Sequence, residues 1–285
     1  MQTFITRALS ALVFAVLVIS AVLYNEISFE ILFFIISVAC LNEYYNIISK
    51  FFRKDISFQP FYKNLALAMA FIFYWISFNI GKGILPTTYI ALFPVLMSLF
   101  IIVELFIKSK RPFRNIGLNF IGIFYVYLPF ILIHAITYFQ GQFVGPIIFG
   151  ILLCVWTNDT GAYIIGSLIG KNKLIEHISP RKTIEGSIGG AVSTMMMAYL
   201  LSQYASQIPI LNCFAIIDLH GWLIIGILVF VFASIGDLIE SLLKRSLDIK
   251  DSGSIMPGHG GFLDRFDAFI FVIPFVVCFL LIYHS

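Results

Sequence analysis

The chain has 285 residues, 60% of them hydrophobic and only 12% charged, with 18 Lys or Arg against 15 Asp or Glu for a net charge of +3. That charged fraction is roughly half of what a soluble globular domain carries, which excludes a soluble fold. The weak positive balance, with no long Lys/Arg block, excludes nucleic acid as the partner, and four dispersed cysteines provide neither a disulfide framework nor a zinc-ligand spacing.

Apolar runs of spanning length fall at 8–23, 29–49, 65–80, 88–107, 116–138, 143–157, 187–205, 220–236 and 267–283, near the roughly 20 residues needed to cross a bilayer. Residues 8–23 follow Arg7 as a signal peptide would, but no small-x-small cleavage site comes after them, and they read as the first anchor. The stretch 160–170 is too short to cross and is expected to be a re-entrant or interfacial helix. The fold class is an all-α polytopic integral membrane protein of about nine transmembrane helices.

Basic residues fix the expected orientation, because short translocated loops are depleted of them. Arg7 precedes the first span. Lys50, Arg53, Lys54 and Lys63 follow the second, and Lys108, Lys110, Arg111 and Arg114 follow the fourth. Lys171, Lys173, Arg181 and Lys182 follow the sixth, and Lys244, Arg245, Lys250 and Arg265 the eighth. Only Lys82 falls on the other side, so nine spans run N-in and C-out. The two long loops of the second half, 158–186 and 237–266, are then cytosolic, and most of the acidic residues lie in them or at their edges.

Span eight runs into a polar stripe of Ser234, Asp237, Ser241, Lys244 and Asp248, spaced 3, 4, 3 and 4 along one helical face. An isolated charge at the end of an apolar run is expensive, so Asp237 has to meet a cation, a partner or water; Glu240 and Lys244 form a favourable i, i+4 pair. The following loop, KDSGSIMPGHGGFLDRFD at 250–267, carries glycines that allow close backbone approach to a ligand, with Lys250, His259 and Arg265 as cations. Carboxylates beside cations in such a loop suit magnesium–phosphate chemistry. A second constellation joins WTNDTGAY at 156–163, with Asp159, to SPRKTIEG at 179–186, where Ser179, Arg181, Lys182 and Thr183 suit a phosphate. The same segment also reads as a helix start, with Ser179 as cap and Pro180 at the first helical position.

The 27 residues 241–267, SLLKRSLDIKDSGSIMPGHGGFLDRFD, resemble the signature of the phosphatidate cytidylyltransferases, or CDP-diacylglycerol synthases. The fixed positions Ser241, Lys244, Arg245, Lys250, Asp251, Gly253, Pro257, His259, Gly260, Gly261, Asp264, Arg265 and Asp267 all match. The two upstream stretches, the length and the placement before the final helix are also similar to the family's, whereas the first 140 residues offer only hydrophobicity to compare. The resemblance implies Mg2+-dependent transfer of CMP from CTP to phosphatidic acid, releasing pyrophosphate. It implies a paired-metal site that includes Asp237 and Asp264, a monovalent cation such as K+ nearby, and a homodimer. Residues 1–140 would then hold spans one to five and 141–285 the catalytic spans, in a single membrane domain.

On that basis Asp237 and Asp264 are expected to hold Mg2+ on CTP with support from Asp251 and Asp267. Ser241, Lys244, Arg245, Lys250, His259, Gly260, Gly261 and Arg265 would surround the triphosphate. Asp159, Ser179, Arg181, Lys182 and Thr183 would take the lipid phosphate. A CTP-using kinase of membrane lipids is the nearest rival, and a transporter is the rival from another class, although the charges gather at one end of the spans and not at mid-membrane. Glu104 reads as snorkelling, Glu43 as interfacial and His134 as a satisfied interior histidine. The compact chain favours a bacterial cytoplasmic membrane.

Overall fold

The computed structural model describes residues 2–51, 60–107, 109–139, 141–176, 178–249, 251–253, 255 and 260–284. In chain order these form α1 (Gln2–Tyr24), α2 (Glu26–Phe51), α3 (Pro60–Gly81), a 3-10 turn (Thr87–Ala91), α4 (Leu92–Phe106) and α5 (Pro112–Ile121). A π-helical turn (Gly122–Tyr127), α6 (Leu128–Leu132) and the hairpin β1 (Tyr138–Phe139) and β2 (Gln142–Phe143) follow. The second half is α7 (Pro146–Ile169), the hairpin β3 (Lys173–Ile175) and β4 (Ser179–Thr183), α8 (Ile184–Tyr204), two 3-10 turns, α9 (Leu219–Ser246) and α10 (Leu263–Tyr283). Among the described residues eight helical stretches are long and apolar enough to cross a membrane; the apolar part of α1, Leu9–Tyr24, is shorter. Among the described residues the only sheets are two short hairpins, and this is a helical integral membrane protein.

The core runs along α2, whose Phe29, Phe33, Ile36, Cys40, Tyr44 and Tyr45 are buried. Phe33 meets Phe269 of α10 with ring centroids 5.9 Å apart. The first helix joins this core: Val18 and Val22 are buried, and the Phe14 ring packs edge-on to Phe262 and Phe266. The helices α9 and α10 run side by side, with Phe232 and Phe275 stacked at 3.4 Å. Glycine makes that approach possible, since a Cβ at Gly236 would stand 2.8 Å from the Asp267 carbonyl.

The helix α7 departs from expectation. Residues 160–169 do not form a separate short helix; they continue α7 without a break to Ile169. Hydropathy falls at Asn158, Asp159 and Thr160, but α8 packs along α7 in the most extensive helix–helix contact among the described residues. A Cβ at Gly161 would sit 2.9 Å from the Gly189 carbonyl, and one at Gly190 would sit 2.8 Å from Asn158 Oδ1. Small residues thus let α8 enclose Asn158, which accepts from Thr194 Oγ1 at 3.5 Å. The connection between α7 and α8 shrinks to 170–183, and that between α9 and α10 to 247–262.

Two buried polar groups are satisfied inside the bundle. His134, 1% exposed, meets Glu30 Oε2 at 2.9 Å through Nε2 and Ser77 Oγ at 2.8 Å through Nδ1, and so is the interior histidine the sequence suggested. Glu104 does not snorkel. It is buried because Tyr62 and Ser109 donate to its two oxygens at 2.5 and 2.9 Å.

Candidate active site

The site is built around α9. That helix is capped by Asp218, whose carboxylate accepts from Gly221 N at 2.7 Å; this bond holds Asp218 below its ordinary pKa. It ends at Ser246, and just beyond it Asp248 turns the chain in the left-handed region (φ 51°) while Ile249 N donates to the Lys244 carbonyl at 3.0 Å. Between cap and end, the 3-4 spacing aligns Asp237, Glu240, Ser241 and Lys244 on one face. From α10, Asp267 joins them. One carboxylate oxygen from each of Asp237, Glu240 and Asp267 lies within 4.8 Å of the other two.

Cations surround this acidic group. Lys182, carried in by β4, binds Asp237 Oδ2 at 2.5 Å. Lys244 is ion-paired with Glu240 one turn earlier on α9 and with Asp264 Oδ1 at 2.8 Å. Ser241 Oγ donates to Asp237 Oδ1 at 3.4 Å, and Asp159 on α7 lies within electrostatic reach of Asp237, Lys182 and Arg265. Glu240 is wholly buried, and apart from its Lys244 contact neither carboxylate oxygen accepts a well-formed hydrogen bond among the described residues. Three converging carboxylates, the oxygens of Glu240 left without a hydrogen-bond donor other than Lys244 among the described residues, form the kind of hard-oxygen donor set that a divalent cation takes.

The turn before α10 is bound on two sides. Asp264 Oδ2 accepts from Ser252 N at 2.9 Å and from Gly261 N at 2.8 Å. From α2, Glu43 accepts from Phe262 N at 3.0 Å on Oε1 and from Leu263 N at 2.9 Å on Oε2. The Ser252 hydroxyl stands between the two acids, 3.0 Å from Glu43 and 2.9 Å from Asp264. Only glycine fits here: Gly260 has φ +82°, and a Cβ at Gly261 would collide with Glu43 and Ser252.

The sequence-expected residues are therefore distributed unevenly. Asp237, Asp264, Asp267, Ser241, Lys244 and Lys182 come together. Asp264, expected among the metal carboxylates, instead has its oxygens engaged by Lys244, Ser252 and Gly261, and Glu240 stands with Asp237 and Asp267. Asp251 is exposed and outside that group, and Arg181, Arg245 and Arg265 are exposed as well. Lys250 and His259 lie outside the described residues. Residues Ser179–Thr183 form a strand and not a helix start, with Ser179 paired to Ile175. The cap of α8 is Thr183, whose Oγ1 accepts from Gly186 N at 3.1 Å. Sequence reasoning missed Glu43 and gave Glu240 no more than a pairing role. The signal for Glu240 was its place on the Asp237 face; for Glu43 it was one acid set in an apolar run, which nothing local connects to residues about 220 positions later.

A profile of the cytidylyltransferase family matches residues 5–283. The chain is 36% identical over 275 residues to the phosphatidate cytidylyltransferase of Bacillus subtilis (strain 168), an alignment that covers 96% of this chain and 95% of the relative. It is 36% identical over 203 residues to that of Staphylococcus haemolyticus, covering 70% and 69%. Against that of Staphylococcus saprophyticus it is 38% identical over 169 residues, covering 59% and 60%.

Proposed function

The chain belongs to the cytidylyltransferase family, and from that premise we infer that it transfers the CMP moiety of CTP to phosphatidic acid, forming CDP-diacylglycerol and pyrophosphate in phospholipid synthesis. The observation that carries the reading is the convergence of Asp237, Glu240 and Asp267 with Lys182 and Lys244 where α9, α10 and the β3–β4 hairpin meet. A phosphate oxygen of phosphatidate attacks the α-phosphorus of CTP in line. The P–O bond to the β-phosphate breaks, and its electron pair leaves with pyrophosphate. No general base is required, because a phosphate monoester is already largely ionised at neutral pH. What the protein supplies is positioning and charge neutralisation for two polyanions.

Asp237, Glu240 and Asp267 would hold Mg2+ in a paired-metal site, with a monovalent cation such as K+ nearby. The metal's contribution is to neutralise charge on the triphosphate and on the departing pyrophosphate. Lys244, Arg245, Lys250, His259 and Arg265, with Ser241 and the Gly260–Gly261 backbone, surround the triphosphate. Lys182, with Asp159, Ser179 and Arg181, receives the lipid phosphate. Asp264 braces Lys244 and the glycine-rich turn before α10, and Asp251 supports the metal from the loop between α9 and α10. The bias of basic residues supports nine spans, N-in and C-out, with the site facing the cytosol of a bacterial inner membrane. The working unit is a homodimer, with residues 1–140 mostly scaffold and 141–285 carrying the chemistry.

The test is to incubate purified protein with Mg2+, phosphatidic acid and CTP labelled separately in cytidine and in the γ-phosphate. Cytidine label in the lipid with γ-label in pyrophosphate is the expected result. The γ-label in the lipid would make the protein a kinase, and no label in the lipid would overturn both.

A further inference from the structure

The helical stretch Pro112–Ala135 changes its winding midway, at the π-helical turn Gly122–Tyr127. Such turns are rare and often mark functional positions, because they re-aim a side chain at the cost of regular hydrogen bonding. This one is fixed from α2. Tyr44 Oη donates to the Leu118 carbonyl and Tyr45 Oη to Asn119 Oδ1, each at 2.8 Å. A Cβ at Gly122 would stand 2.8 Å from the Tyr44 ring, so the turn and α2 are in close contact.

What the turn presents is Tyr125. Its hydroxyl oxygen is buried and has no hydrogen-bond partner among the described residues. The turn that carries it packs against α10, and the residue lies within electrostatic reach of Asp267, Glu240 and Asp237, the same three carboxylates that converge on α9 and α10. A buried hydroxyl without a partner destabilises a fold, so a phenylalanine here would be the more stable choice. A costly polar group beside a reactive centre points to a partner that arrives with the substrates.

Resting on the reading of the site as a cytidylyltransferase centre, we propose that the Tyr125 hydroxyl donates a hydrogen bond to a phosphate oxygen of the reacting substrates beside Asp237, Glu240 and Asp267. It is a donor that carries no charge, which suits a place among carboxylates that already have Lys182 and Lys244 as counter-ions. The phosphate belongs either to the nucleotide or to the lipid, and the experiment separates the two. The assignment also gives the first half of the chain a residue at the reacting groups and not only scaffold.

The variant is Tyr125→Phe, which removes one oxygen and keeps the ring. Melting temperatures are measured for it and the unaltered protein alone, with CTP and Mg2+, and with phosphatidic acid, and cytidylyl transfer is followed while each substrate is varied. The expected variant melts at the same or a higher temperature when alone, and its kcat/KM falls about 10- to 100-fold. It also loses most of the melting shift produced by one substrate, which identifies whose phosphate is held. Unchanged kinetics with unchanged shifts overturns the proposal. So does a lower melting temperature without substrate, because the hydroxyl would then serve the fold. If the unaltered protein puts no cytidine into lipid, the functional reading falls, and the comparison of melting shifts still decides whether Tyr125 meets a phosphate.

Discussion

Lys244 and Lys182 reach the same acidic group under different exposure, and that difference separates stability from activity. Lys244 lies between a wholly buried Glu240 and an Asp264 that is 6% exposed. Removing its charge leaves two buried carboxylates without a counter-ion, which costs about 3–5 kcal/mol for a buried pair. Lys182 and Asp237 are 27% and 39% exposed, a setting in which an ion pair contributes roughly 0–1 kcal/mol. Lys244→Met should therefore lower both the melting temperature and cytidylyl transfer. Lys182→Met should melt close to the unaltered protein while its apparent KM for phosphatidate rises several-fold; an unchanged KM would place the lipid phosphate elsewhere. At this scale the sequence was most legible where chemistry follows a helical period. Asp237, Ser241 and Lys244 could be read from their 3-4 spacing because α9 is regular through all of them. Asp264 could be seen to matter but not how, since its partners Ser252 and Gly261 are set by a turn that no period describes.

The helix α10 has no capping side chain of its own at Phe262. Glu43 takes that role from α2, accepting from the Phe262 and Leu263 amides, and its negative charge is favourable at a helix N-terminus. An amide at this position keeps one acceptor oxygen and turns an NH2 toward backbone donors. Glu43→Gln should thus destabilise the protein by about 1–3 kcal/mol, seen as a lower melting temperature, and Glu43→Ala by more. A variant as stable as the unaltered protein would show that the turn closes without α2. Elements were unequally legible for related reasons. Long apolar helices declare themselves by composition, whereas β3 and β4 are three and five residues long and exist because they pair with each other. The full length of α7 was hidden because Asn158 and Asp159 lower its hydropathy, and only the glycines of the facing helix explain how such residues stay helical.

For the whole molecule, orientation is the property that composition alone could suggest, through the placement of Lys and Arg. It can be checked across α7, which separates Gln142 from Lys173, both exposed. A membrane-impermeant maleimide should reach Gln142→Cys in intact cells and Lys173→Cys only in inverted vesicles; the converse would invert the topology, and labelling of both from one side would mean that α7 does not cross. The native Cys213 adds little background, because burial pushes its thiol up to about 11. It stays protonated and slow to react at pH 7, and its labelling should grow as pH approaches that value. The three-dimensional closure of the site could not be read from the sequence, since Glu43 and Leu263 are 220 residues apart. That separation has a consequence for biogenesis. At roughly 5–20 residues per second, Glu43 leaves the ribosome on the order of 10–40 s before its partner amides exist, and through that interval its carboxylate must be served by water or headgroups at the translocon. A chain stalled before the last helix therefore cannot form the turn at all, and translation delivers this activity to the membrane only when its final segment has been inserted.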